Sequence, residues 1–137
     1  MTPAFEIVEP DPKIYAEIAR RFDAHNRALT SWDWTSYSIV VREGEHVAAS
    51  ARGVTNMGLV EIRGVWIDPD RRGSGLGQAL VREVEAEAMR RGCTAAALDT
   101  YSWQAPGFYR KLGYVEFGRL DYPNGTSRHY LRKALGA

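Results

Sequence analysis

Ile14, Ile18 and Phe22 recur at spacing four and draw an apolar stripe that ends near Ala24. This period predicts an amphipathic helix. Asp11-Pro12 opens it as an N-cap followed by proline at the first helical position, where a missing N–H costs nothing. Ahead of it, Phe5 to Val8 reads as a short strand, and behind it "HNRALTSWDWTS" keeps no period and reads as a short helix and loop. "YSIVVREGEHVAASARGVT" predicts a hairpin turning around Glu43-Gly44. "LVEIRGVWI" predicts a strand with Leu59, Glu61, Arg63, Val65 and Ile67 on one face, ended by Asp68-Pro69-Asp70.

The period then returns to that of a helix. Leu80, Val81, Val84, Ala88 and Met89 form its stripe, with Glu83, Glu85 and Glu87 outside. Arg90-Arg91 suit the negative end of the helix dipole and Gly92 its C-cap. "TAAALDT" predicts a buried strand, and "APGFYRKL" a short helix stopped by Gly113. "YVEFGRL" and "RHYLRKAL" predict two last strands around a "DYPNGTS" turn, in which Asn124-Gly125-Thr126 reads as turn chemistry. The order β-α-β-β-β-α-β-α-β-β predicts an α/β domain with a mostly antiparallel sheet, one domain over residues 1–137.

Composition narrows the classes. A formal net charge of +1 gives no global attraction to nucleic acid or a membrane surface, so any anion preference must be local. The single Cys93 cannot pair internally, and the N-terminus lacks the apolar core of a signal peptide, so the expected compartment is the cytoplasm. His25, His46 and His129 are scattered, with His46 expected to face solvent, and no metal-ligand spacing is present.

Local anion chemistry concentrates at residues 71–77, "RRGSGLG". A glycine-rich turn entering a helix gathers backbone N–H groups around one point at the positive end of the dipole. Gly73, Gly75 and Gly77 permit close approach or positive φ, and Arg71 and Arg72 add fixed charge. On glycine spacing alone an ordinary strand-to-helix connection with solvated arginines stays equally open. A P-loop would need Lys then Ser/Thr after the last glycine, where Gln78-Ala79 stand, and the spacing is not G-x-G-x-x-G in a βαβ unit. ATP and dinucleotide chemistry are thereby disfavoured.

"VWIDPDRRGSGLGQALV" followed by "QAPGFYRKLGYVEFG" resembles the GNAT superfamily of N-acetyltransferases. Arg72, Gly75 and Gly77 match its phosphate-loop pattern, and Phe108-Tyr109 with Lys111-Leu112-Gly113-Tyr114 match its second motif. The resemblance covers nearly the whole chain. It implies a GNAT-like fold, a mixed and mostly antiparallel sheet of about six to seven strands with about four helices, splayed at the cofactor-binding strand. It also implies acetyl-CoA as acetyl donor, its pyrophosphate cradled by Arg71, Arg72, Gly73, Ser74, Gly75, Leu76, Gly77 and Gln78. Val65, Trp66 and Ile67 would run beside the pantetheine arm, although side-chain type favours the core for Trp66. Ser102 stands where many relatives carry asparagine, and Gln104 is a substitute donor.

The resemblance casts Tyr109 as the acid that protonates the departing sulfur and Glu61 as the base that receives the amine proton. An ion pair with Arg63, two residues on, is the competing role for Glu61. His25, Trp32 and Trp34 fall where such enzymes contact acceptor, and Asp99 lies with "TYSWQA" at the strand end facing the cofactor. Glu61, Asp33 and Asp99 would suit a cationic acceptor. The function implied is acetylation of a small primary amine by direct attack in a ternary complex. A non-catalytic acyl-CoA sensor, or acetylation of a protein amine or charged tRNA, are the alternatives. Intact Tyr109 and Glu61 favour the enzyme, and near-neutral charge weighs against tRNA. Relatives are often dimers, which makes the aromatic last strands the candidate contact of a homodimer.

Overall fold

The computed structural model of the chain describes residues 2–136 and divides into two units, the first ending at Asp33 and the second beginning at Trp34. In the first unit, α1 spans Pro12–Arg27, and the Asp11 side chain accepts from the Lys13 N–H at 2.9 Å. The polar residues after Ala24 extend α1 by a further turn. Trp32 Nε1 then donates to Asp23 at 3.0 Å, folding the following segment back toward α1 instead of into a separate helix. Phe5 to Val8 is not a strand, with Phe5 93% and Ile7 102% exposed. A four-residue strand needs a ladder to hold it, and the sheet is built from residues 35–134.

The second unit holds β1 Thr35–Glu43, β2 His46–Asn56, β3 Leu59–Ile67, α2 Leu76–Arg90, β4 Ala95–Tyr101, α3 Pro106–Lys111, β5 Val115–Asp121 and β6 Ser127–Ala134. The six strands run in the order β1-β2-β3-β4-β6-β5. Every neighbouring pair is antiparallel except β3 with β4. The described residues thus hold six strands and three α-helices, with a single 3-10 turn at Pro69–Arg71. The expected fourth helix is absorbed into α1.

One register detail re-aims half of β3. Arg63 pairs with Arg52 and Trp66 with Ser50, so three steps on β3 oppose two on β2. Gly64, at φ +60°, occupies this bulge, a conformation that a residue with a Cβ adopts only with strain. Side chains alternate along a strand, and an extra residue reverses the alternation. Val60 and Ile62 therefore share the core face with Val65 and Ile67, while Glu61, Arg63 and Trp66 face the other way. The expected single face through Leu59, Glu61, Arg63, Val65 and Ile67 is corrected accordingly. Trp66, expected in the core, is 52% exposed.

On the core face α2 buries Leu80, Val81, Val84 and Ala88 against the sheet, where Val60 and Leu131 are also fully covered. Two expectations for this helix are corrected. Met89 is 44% exposed, and Glu85, expected outside, is buried. Position 85 falls on the same broad face as Val81 and Val84. A buried carboxylate is tolerated only with donors, and the Tyr114 hydroxyl supplies one at 2.6 Å and Lys133 Nζ two more at 3.1 Å.

The parallel ladder between β3 and β4 is short. It joins Leu59 to Ala95, Val60 to Ala96 and Glu61 to Ala97, and stops there. β4 goes on pairing with β6 as far as Tyr101–Arg128, and β3 with β2 as far as Ile67–Ala49. Each strand keeps its outer partner, so beyond Glu61 the two separate and the sheet forks.

Candidate active site

The fork opens a cleft of about 1230 Å³. On the core side it is lined by Val65, Ile67, Gly77, Gln78, Thr100, Phe108 and Tyr109, and on the opposite face by Arg63, Trp66, Asp99, Tyr101 and Arg128. Alternation along β3, β4 and β6 places these two sets on opposite sides of the sheet. The gap therefore connects both faces, with α2 and α3 on one of them.

At the end of β3 the chain enters the glycine loop. Gly73 and Gly75 have φ of +79° and +83°, and a Cβ added at either would meet nothing within 4 Å. The freedom these glycines supply is conformational, and the space around them is open. Gly77 differs. It lies in the first turn of α2, and a Cβ there would sit 3.4 Å from Phe108. A methyl group there would thus make ordinary contact with the Phe108 ring of α3. Ser74 Oγ donates to the Arg71 carbonyl at 2.7 Å and closes the loop, and Leu76 packs against the core cluster. Neither lines the cleft.

The two loop arginines have different partners. Arg71 is paired with Glu43 at 2.5 Å. Arg72 donates from Nε to the Ile67 carbonyl at 2.9 Å and lies 5.1 Å from the Trp66 ring centroid, with no carboxylate partner among the described residues. Trp66 Nε1 in turn donates to Asp68 at 2.9 Å, and the other oxygen of Asp68 meets His46 Nε2 at 2.6 Å. That hydrogen bond raises the His46 pKa and, together with the bond from Trp66, lowers that of Asp68. His46 thus faces solvent, as expected, but it also anchors the side chain that orients Trp66.

Tyr109 stands on α3, buried, its ring edge-on to Phe108 at 5.0 Å and to Tyr114 at 6.0 Å. Its hydroxyl has no hydrogen-bond partner among the described residues, yet the side chain lines the cleft. Burial pushes its pKa up to about 12, so the phenol stays protonated at neutral pH.

The remaining expected site residues separate. Glu61 does not line the cleft; it sits on the last shared rung of the fork, and its Oε2 accepts from Arg63 Nε at 3.0 Å and Nη2 at 2.5 Å. Asp99 lines the cleft and accepts from Arg128 Nε at 3.0 Å. Gln104 also lines it, with its Oε1 accepting from the Tyr101 N–H at 2.9 Å and from Thr100 Oγ1 at 3.2 Å. Ser102 turns elsewhere, its Oγ accepting from the Ser127 N–H at 3.2 Å. Trp34 is not among the cleft residues, and His25 and Trp32 belong to the first unit.

Sequence reasoning missed Arg128 as a cleft residue; Tyr101 and Trp103 line the cleft within the "TYSWQA" stretch expected at this strand end. Arg128 arrives only through its pairing with Tyr101, across 27 positions of chain. No local motif signals that. Among the described residues no group of three His, Cys, Asp or Glu side chains could hold a metal ion.

The fold is that of acetyltransferases. A crystal structure of an acetyltransferase from Bacillus cereus matches at TM-score 0.80 and 31% identity, over 95% of this chain and 98% of that one. One described as an acetyltransferase from Agrobacterium tumefaciens matches at TM-score 0.88 and 26% identity, over 98% and 100%. The chain belongs to the acetyltransferase (GNAT) family, whose model matches residues 4–114. The enzymes of this family draw their acetyl group from acetyl-CoA. The blasticidin-S acetyltransferase of Streptomyces morookaense is 41% identical over 73 residues, 52% of this chain and 54% of that protein. The chain thus spans about half the length of that relative.

Proposed function

We propose that the protein transfers the acetyl group of acetyl-CoA to a small primary amine by direct attack, donor and acceptor meeting in the fork between β3 and β4. The observation that carries this reading is a gap open to both faces of the sheet, with the glycine loop and the unpartnered Tyr109 hydroxyl on one side. Two substrates can then approach one point from opposite directions, which converts a bimolecular encounter into a positioned one. We place the protein in the cytoplasm, since its single cysteine, Cys93, can form no disulfide within the chain.

The residues at the loop fit a diphosphate. Gly73 and Gly75 leave open space, the N-terminus of α2 points N–H groups toward it, and Arg72 carries a charge that no carboxylate among the described residues neutralises. When bound, acetyl-CoA supplies the thioester carbonyl carbon that an amine attacks. On the side where β3 has parted from β4, the stretch from Arg63 to Ile67 offers backbone groups to an amide-bearing arm, although the Ile67 carbonyl is already taken by Arg72.

Tyr109 holds its proton at a hydroxyl free to donate. A thiol has a reference pKa of about 8.5 and this phenol about 12, so complete transfer to the departing sulfur is uphill. Tyr109 therefore acts by hydrogen bonding to the sulfur as negative charge develops there. Glu61 is assigned the amine proton. It shares the outer face with Arg63 and Asp99 at the root of the fork, and since it does not line the cleft, solvent relays the proton to it.

Thiol release from acetyl-CoA, measured across a panel of primary amines, tests the reading, with initial-rate patterns that intersect. Parallel patterns would indicate an acetyl-enzyme and overturn direct attack. Glu61→Gln is expected to lower kcat/KM by about 10²-fold. An unchanged kcat/KM removes Glu61 from the mechanism. Gly75→Ala forces a side chain into φ +83°, a strain of about 1–2 kcal/mol. The expected result is a raised KM for acetyl-CoA at nearly constant kcat; equal losses in both parameters would argue against a purely binding role.

A further inference from the structure

We infer that the acceptor is a primary amine carrying an aromatic ring, which stacks on Trp103 at the mouth of the fork. The inference rests on the acetyltransferase reading above and names the acceptor class that the reading leaves open.

Charge points away from the cationic acceptor expected from the sequence. Four arginines and one aspartate line the cleft. At its outer face the lone aspartate, Asp99, is spent on Arg128 at 3.0 Å, and the nearby Glu61 on Arg63 at 2.5–3.0 Å. Each carboxylate at that mouth is already paired with an arginine, so a second positive charge on the acceptor finds no open partner there.

Apolar surface is what the mouth offers instead. Trp103 is 62% exposed, though a tryptophan this open normally finds cover. One face of its indole lies flat on Tyr101, with centroids 4.7 Å apart and planes at 18°. Tyr101 is itself held by Tyr122 at 5.9 Å and by the Arg128 guanidinium at 5.5 Å. The stack is thus held through Tyr101, and the indole lines the cleft with most of its surface uncovered. A ring fixed before binding loses little entropy when a ligand ring settles on it, and an offset-stacked pair adds about 0.5–1.5 kcal/mol beyond its buried area.

The test compares phenethylamine and tryptamine with butylamine and spermidine, in the full-length protein and in Trp103→Ala and Trp103→Phe. The parent is expected to favour both aromatic amines over butylamine, with spermidine poorest. Trp103→Ala should raise KM for phenethylamine about tenfold, equivalent to about 1.4 kcal/mol, and change KM for acetyl-CoA less than about twofold. Trp103→Phe should restore most of the loss. Turnover that is faster with spermidine or butylamine overturns the inference while leaving acetyl transfer intact. So does a KM for acetyl-CoA that rises in place of that for phenethylamine, since the stack would then serve the donor. Saturation-transfer NMR of phenethylamine on the CoA-loaded protein separates the two readings. Binding that vanishes in Trp103→Ala, with no thiol released from any amine, supports the platform and refutes the catalytic reading. No binding to the parent refutes the platform.

Discussion

Tyr109→Phe is expected to fold like the parent, bind acetyl-CoA with similar affinity and lose about 10²-fold or more of kcat, the usual contribution of a positioned proton donor. The parent hydroxyl makes no hydrogen bond among the described residues, so its removal orphans no partner there. The ring contacts with Phe108 and Tyr114 survive in phenylalanine. An activity loss with an unchanged melting temperature therefore isolates the proton. The pH dependence follows from the direction of the shift. With the folded phenol at about 12 and the unfolded one at about 10, Tyr109 stays protonated in the fold while the unfolded chain loses its proton. Its contribution to stability is complete below pH 10 and is lost as pH rises toward 12. The parent should accordingly lose more stability than Tyr109→Phe across that window, and kcat should show no alkaline limb from Tyr109 below about pH 11. Turnover within twofold of the parent would dismiss Tyr109 as the donor.

Glu85→Ala has the largest expected effect on stability. The carboxylate is buried between α2, Tyr114 and Lys133, with three hydrogen bonds of 2.6–3.1 Å. Its removal leaves a half-buried ammonium and a buried hydroxyl without an acceptor. Breaking one member of a buried pair costs about 3–5 kcal/mol. In a chain of this size that lowers Tm by roughly 10–17 °C. Burial, then the bond to Glu85, holds the Tyr114 phenol above its ordinary pKa, so the donor stays protonated. Glu85→Ala with Lys133→Met should recover part of the loss, because the second change removes the stranded charge. Thermal unfolding of the single and double variants checks this. A Glu85→Ala protein as stable as the parent would show the network to be dispensable.

Much of the second unit could be read from periodicity. The hairpin, the strand into the glycine loop, α2, α3 and the last two strands all follow from alternation or a 3.6-residue stripe punctuated by glycine. The errors share a cause. Phe5 to Val8 has strand composition, but a strand exists only by pairing, and composition does not supply a partner. The faces of β3 were misread because Gly64 inserts a residue relative to β2, and a bulge is a property of two strands. Glu85 has the look of a surface helix residue until Tyr114 and Lys133, 29 and 48 positions away, provide its hydrogen bonds.

The candidate site divides in the same way. "RRGSGLG" and "GFYRKLG" are local in sequence, so the anion loop and Tyr109 were legible before any fold, since a tight turn and a helix start depend on adjacent residues. Chain order alone thus determined the family, the glycine loop and the candidate acid. Only the tertiary structure decided that β3 and β4 part after Glu61, that Glu61 and Arg63 are paired beside the gap, and that Arg128 reaches Asp99 and Tyr101. These depend on which strand each backbone pairs with. Backbone pairing joins distant segments, and no residue carries that choice in its own side chain.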